Sequence, residues 1–591
     1  MVFLRSGVQG TAMLLAFIVA SAVMPVPDLA GTSAALAAEA STTTKYERHS
    51  PARPSYGCHV TDFKTKDFIG SHYCYNCHHL LTDAAGNDVS IISDWRSTMM
   101  ANAARDPFWQ AKVQSEVHRN PGLQKVVEQK CALCHMPMAW TQSQADGGYG
   151  EVAVLAEGFL NSGNSLHDAA MDGVSCSLCH QVQDKGLGTE ETFSGKFKID
   201  TATDPPVRVL YGPYHETVQK PMRTSIGFTP EYGPQMNHAA LCGTCHTLFT
   251  PFVDGQGKVV GQFPEQGIFL EWRHSSYNVP DDARYDIGDE THQGKICQEC
   301  HMPHSPAGDV VIANWAPENV KPKDHFSQHF FVGGNVYMMD LFADNVDALD
   351  LTASSLLYEQ TRDRTLDQLQ NRSARLFFGS VRREADELVG EITVENLAGH
   401  KYPSGFPSRR LWIHFTVTDE DGEVVFDSGK PLENGAIAGN DNDESPQGFE
   451  PHYREITRPD QVQIYESLLR DTDGNVTYTL LRASTYAKDN RLLPAGFAKQ
   501  TAPSAIAVHG GALTDVDFQG GGDSLTYRVN TTGFEGPFTV RAELLYASLS
   551  YSFLEDLRKD RELDLVDQFI RMVDRSNKMP VLAASVEERI R

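Results

Sequence analysis

From Leu411 the chain alternates. Leu411, Ile413, Phe415 and Val417 interleave with Trp412, His414, Thr416 and Thr418, the period of two expected of a half-buried strand. Asp421-Gly422 predicts a turn into VVFDSG. A second hairpin is predicted from QVQIYESLLR through DTDGN to VTYTLLRA, with Asp473-Gly474 as its turn. DELVGEITVENL, SLTYRVNT and FTVRAELLYA read as further strands, and about five to seven short strands predict an antiparallel sandwich of Ig-like size. Ahead of them, NVYMMDLFADNV and TASSLLYEQTRDRTLDQLQNRSARLFF read as helices. The tail closes on a helix whose apolar face is Leu563, Val566, Phe569, Ile570 and Val573.

The first half has no such pattern. Between Tyr56 and Gly334 neither period is sustained, and Gly, Pro, Asn and Asp are scattered throughout. A segment of this kind cannot bury enough apolar side chain to offset its chain entropy, so something other than side chains must form its core.

At 591 residues the chain is too long for one ordinary core. Its apolar fraction of 41% and charged fraction of 22% are those of a globular protein in water. A net charge of −26 argues against nucleic acid and against an anionic membrane surface. At the start, Arg5 precedes the apolar run TAMLLAFIVASAV, and GTSAALAAEA offers small residues for cleavage near Ala37 or Ala38. The run is about 14 residues, short of the roughly 20 that span a bilayer, and reads as a secretory signal. The mature protein is expected to be periplasmic or extracellular, with no transmembrane span.

In an exported chain cysteines usually form disulfides. Here ten of eleven fall into one repeated spacing, Cys-x-x-Cys-His. The copies are Cys74, Cys77 and His78; Cys131, Cys134 and His135; Cys176, Cys179 and His180; Cys242, Cys245 and His246; Cys297, Cys300 and His301. Two thiols three residues apart can add to the two vinyl groups of one haem, and the adjacent imidazole then reaches the iron. A disulfide or zinc array would not need a histidine after every pair. The spacing predicts five c-type haems, which would also supply the missing core.

The expected fold class is α+β and multidomain. It comprises a signal peptide (residues 1–38), a haem-packed helix and loop domain (39–334), a helical connector (335–380), a β-sandwich-like domain (381–552), and a C-terminal helix and tail (553–591).

Each iron also needs a sixth ligand or an open position. Other histidines in the haem half are His59, His72, His79, His118, His167, His215, His238, His274, His292, His304, His325 and His329. His167 and His238 lie just before an attachment site, and His329 ends the haem half; these three are the foremost distal candidates there. His325 and His274 are weaker ones, and His79 reads as a hydrogen-bonding residue. In the second half His400 sits in AGHKYPSGFPSRR, a Gly/Pro loop between strands that can project toward an iron. Arg409 and Arg410 read either as partners of haem propionates or as a solvated basic turn. GNDNDES lacks the EF-hand loop pattern and reads as a solvated acidic loop.

FIGSHYCYNCHH, DWRSTMMANAARDPFW, DGVSCSLCH, NHAALCGTCHTLFTP, FPEQGIFLEW, CQECHMPHS and HFFVGGN resemble the multihaem cytochromes related to the tetrahaem cytochrome c partner of hydroxylamine oxidoreductase. NLAGHKYPSGFPSRRLW, VQIYESLLRD and KDNRLLPAGF resemble the appended C-terminal domain of one branch. The resemblance implies electron transfer through haems. It also implies a histidine after Trp95 where this chain has Met99-Met100, so Met99 is either a thioether ligand or core filling.

SYGCH, with Ser55 where a first cysteine would stand, reads as an incomplete sixth copy. Cys58 is then a lone thiol and His59 a candidate distal ligand. The second half holds no Walker-type loop, no G-x-S-x-G and no H-E-x-x-H. Two readings remain open. One is an electron carrier serving redox partner proteins, either other cytochromes or quinol-linked complexes. The other is an oxidoreductase acting on a small nitrogen or sulfur compound at one five-coordinate haem. The absence of a Cys-x-x-Cys-Lys site weighs against the second.

Overall fold

The computed structural model describes residues 61–148, 154–278, 294–314 and 320–591. The signal segment, Cys58, His59 and His292 lie outside the described residues. Residues 58–591 form one compact unit. Its architecture is α+β: a region rich in helices and loops, then strands, then helices and a last strand.

The first region is built of short helices that start where the sequence supplies a cap. Pro107–Arg119 begins at Asp106, whose carboxylate accepts from the amides of Phe108 and Trp109, with proline at the first helical position. Two small pairings were not visible in the sequence pattern. Val209–Gly212 pairs in parallel with Thr229–Tyr232, and Leu248–Val253 pairs antiparallel with Val259–Gln266.

Helices Val336–Asp344 and Ser355–Arg372 follow. The second buries Leu357, Tyr358, Thr361, Thr365 and Leu369, spaced three and four apart along one face. It stops earlier than the sequence suggests. Ser373 leaves the helix, and ARLFF opens the strand Ala374–Glu384, with Ala374 and Leu376 buried and Arg375 and Phe377 exposed. That alternation belongs to a strand, so the helical connector predicted to residue 380 ends at Arg372.

Two sheets face each other. The larger runs through Val476–Thr477, Ile464–Arg470, Arg410–Thr418, Phe538–Ala547 and Val581–Ile590, with Thr485–Asp489 and Val424–Ser428 paired at its sides. The smaller runs through Ala374–Glu384, Glu387–Asn396, Gly522–Asn530 and Glu455–Ile456. Phe415 from one stacks on Tyr527 from the other, ring centroids 4.0 Å apart. Leu411, Ile413, Phe415 and Val417 all point into this core, as their alternation predicts.

Three details differ from expectation. Trp412 is buried as well, packed on Ile437, Val462 and Ile464, so the start of that strand is covered on both faces. The second hairpin is cut to two residues on its return arm, Val476–Thr477. The chain then leaves to place Leu481 in a core cluster of the first half, and returns as Thr485–Asp489 to pair with Ile464–Arg470. The tail helix Asp564–Arg575 buries Val566, Phe569, Ile570 and Val573, but it does not end the fold. Val581–Ile590 pairs with Phe538–Ala547 and completes the larger sheet. Its own burial alternates weakly, so only its neighbour reveals it.

Candidate cofactor cavity

All ten motif cysteines and the five histidines that follow them line one cavity of about 1210 Å³. Protein interiors are close-packed, and voids even of a few waters are rare. An apolar-walled space of this size therefore calls for a large apolar occupant. Each motif lies in or directly after a short helical turn: Ser71–His78, Gln124–His135, Cys176–Cys179, Ala239–Gly243 and Cys297–His301. One turn brings residues i and i+3 to the same face, so the two thiols of a pair point into the cavity together.

The ten cysteines are free thiols. Burial pushes up the pKa of Cys131 and Cys179, which disfavours the thiolates a zinc array needs. Among the described residues no three cysteine or histidine ligand atoms of the motifs converge within 4.8 Å. The donor set therefore does not fit small metal ions bound by thiolate, and it does fit a group that bonds two sulfurs and one imidazole.

Four of the five imidazoles are oriented by backbone carbonyls. Nδ1 of His78 donates to the carbonyl of Ile312 at 2.6 Å, His135 to Ala103 at 2.9 Å, His180 to Tyr211 at 2.6 Å and His301 to Val332 at 2.5 Å. A ring whose Nδ1 donates keeps its lone pair on Nε2, the atom a metal takes. Burial lowers the pKa of each, to about 4 for His135 and His246, so the neutral form prevails.

The motifs also touch one another. Cys74 lies beside Cys176, Cys134 beside Cys245, and Cys297 beside Cys242, each pair close enough to perturb the first thiol. Cys179 lies close enough to feel the charge of Cys242 and Cys245. The fourth motif, CGTCH, thus neighbours the second, third and fifth, and the first is reached through the third.

The distal candidates divide. The His400 ring lies parallel to that of His301 within 13°, their centroids 6.3 Å apart. Two metal–imidazole bonds of about 2 Å each, plus the depth of the rings, require a separation of this order. His400 Nδ1 donates to the carbonyl of Lys401 at 2.8 Å, which frees Nε2. His329 is half-buried and near His180 and His78; desolvation first, then those neighbours, lower its pKa to about 3. His329 Nδ1 donates to Ser327 O at 3.1 Å, and the ring lines the cavity.

His167 and His238 do not line the cavity. His167 Nδ1 donates to Phe159 O at 2.9 Å. His238 Nδ1 instead accepts from the Ala240 amide at 3.0 Å, as a helix cap, which puts the proton on Nε2. Met99 lines the cavity, and its sulfur faces Asn335 Nδ2 at 3.8 Å. His79 and His274 bond backbone carbonyls four residues back. Arg410 is engaged by both oxygens of Asp443 at 2.9 Å, so the acidic GNDNDES loop holds that arginine.

Behind His400 lies a cluster that the sequence did not reveal. Glu271 Oε2 accepts from the Lys401 amide at 3.1 Å and from Ser404 Oγ at 2.8 Å. Lys401 Nζ pairs with Asp489 at 2.7 Å, and Arg491 bridges Asp489 at 2.8 Å and Glu271 at 3.0 Å. The two cations and two anions are buried and balance. Burial alone would raise Asp489, but Arg491 and Lys401 outweigh it and hold its carboxyl well below the usual range. FLEW, GHKYPSG and KDNR, three separate stretches, meet here. FLEW alone carried a signal, a charge inside an apolar run.

No protein-family model and no curated protein matches the chain. Among solved structures it is similar to a penta-heme cytochrome c552 from Thermochromatium tepidum, at a TM-score of 0.44 and 16% identity, covering 88% of this chain and 98% of that one. Among the described residues, no helix is long and apolar enough to cross a membrane.

Proposed function

We propose that the chain is an exported pentahaem c-type cytochrome that carries electrons through covalently bound haems. The observation that carries this reading is the convergence of five Cys-x-x-Cys-His turns on one cavity, four of their histidines oriented through Nδ1. Haem, when bound, supplies an iron that changes oxidation state, with a potential set by its ligands and burial. The cysteine pairs anchor each haem, and the backbone carbonyls fix each imidazole. His400 is favoured as the second ligand opposite His301, and His329 as one opposite His180 or His78. His167, His238 and Met99 are weaker candidates on their hydrogen bonds. The thiol neighbours support a branched route, with CGTCH as the hub and the first motif reached through CSLCH.

The partners proposed are redox proteins, other cytochromes or quinol-linked complexes, met in the periplasm or outside the cell. The apolar run behind Arg5 and the charge of −26 support that placement. Pyridine haemochrome spectra with protein quantitation test the core of the reading: five haems per chain are expected, and a colourless preparation from a haem-competent host overturns it.

The second reading, reaction of a small nitrogen or sulfur compound at an open iron, draws on the Met99 sulfur facing Asn335 rather than standing free. Electron paramagnetic resonance of the oxidised protein separates the two. A carrier gives low-spin signals alone, and a high-spin signal equal to one haem favours the second.

A further inference from the structure

Buried polar groups are almost always hydrogen-bonded, so an orphan beside a cavity points to a missing partner. Tyr402 and Tyr546 are 5% and 2% exposed, their hydroxyls have no partner, and both line the cavity. Their rings lie parallel within 3°, centroids 6.0 Å apart. Tyr402 comes from the GHKYPSG loop and Tyr546 from the strand Phe538–Ala547. The chain at Gly334 passes directly over the second hydroxyl: a Cβ there would stand 2.6 Å from it.

Arg409 completes the wall. It lines the same cavity, and its charge is felt by Tyr546, His246 and His400. Nη1 donates to Ser404 O at 2.6 Å. Among the described residues no carboxylate pairs with Arg409, whereas Arg410 next to it is bidentate on Asp443. Burial raises the pKa of Tyr546, so its hydroxyl stays a neutral donor. One half-buried guanidinium and two buried phenol hydroxyls line one cavity and make a wall of donors. Such a wall recognises an oxyanion.

We propose that Arg409, Tyr402 and Tyr546 form an oxyanion-binding site that the β domain presents to the cavity beside His246 and His400. The ligand is either a small free oxyanion or the propionate of a bound haem, which share the same carboxylate-like chemistry. This rests on the haem reading, so haem content is measured first in every variant. A chain with fewer than five haems fails that reading, not this one.

The test compares holoprotein with Arg409→Gln, Arg409→Lys and the pair Tyr402→Phe with Tyr546→Phe. Each is titrated with nitrite and with sulfite while the Soret band is followed, and each is taken through a redox titration. If the source is a free oxyanion, a saturable shift appears in the parent protein. It weakens at least tenfold in Arg409→Gln and in the tyrosine pair, and recovers in part with Arg409→Lys. If the source is a propionate, neither anion shifts the band, and Arg409→Gln and the tyrosine pair move the potential of the same haem. An effect of Arg409→Gln that the tyrosine pair does not reproduce overturns the site, as does no effect from either.

Discussion

His400, from the second half of the chain, sets its ring parallel to that of His301 in the first. Its Nδ1 is set by the carbonyl of Lys401, whose amide is held by Glu271. On the proposed haem reading, replacing His400 by alanine is expected to convert one low-spin iron to high spin while haem content stays at the parent's value. An unchanged resonance spectrum would refute the pairing with His301. Asp489→Asn leaves Lys401 and Arg491 buried with one anion between them. Breaking a buried pair from one side costs about 3–5 kcal/mol, so a clear fall in melting temperature is expected. A melting temperature equal to the parent's would contradict the cluster's role. The loop that brings His400 to the cavity was legible in the sequence, because its Gly and Pro residues mark it. Glu271, Lys401, Asp489 and Arg491 were not, because charges that meet only in the fold carry no local period.

His414 offers a pH test away from the cavity. It bonds Glu543 at 3.0 Å and Asp427 at 2.9 Å. Burial lowers its pKa, but the two carboxylates outweigh this and raise it above 6.5. A raised folded pKa contributes stability that is complete below the unfolded value of about 6.5 and is lost as pH rises through the folded value. Melting temperature should therefore fall between about pH 6 and pH 8 by more in the parent than in His414→Gln. Equal slopes would remove His414 from the account.

At the scale of elements, the strands with strong alternation were readable and those without it were not. Arg410–Thr418 alternates from Ile413 onward and pairs with Val424–Ser428 as predicted. Val581–Ile590 carries Glu587, Glu588 and Arg589 at its exposed end and reads as a tail, yet it closes the larger sheet. The helix before Ala374 was drawn too long because ARLFF is apolar in either state, and a short apolar run does not separate helix from strand. Truncation after Asn577 removes the last strand and uncovers the edge of Phe538–Ala547, the strand that carries Tyr546. A lower melting temperature and concentration-dependent aggregation are expected, read by calorimetry and light scattering. A truncated chain as stable and monodisperse as the parent would show the strand to be dispensable.

At the scale of the whole molecule, one cavity explains why half of the sequence looks unfoldable. Residues 61–334 hold short helices, long loops and modest clusters of apolar side chains around a space of about 1210 Å³. The Cys-x-x-Cys-His motifs were legible because their spacing repeats five times. The fold around them was not, because its side-chain clusters are small, scattered and without a local period. The strands of the second half are readable because alternating side chains such as Leu411, Ile413, Phe415 and Tyr527 meet in one core. The most direct test is the intact mass of the mature protein under denaturing conditions, after acid acetone extraction. The account predicts a chain carrying five haems that the solvent does not remove; a mass equal to the bare polypeptide would contradict it.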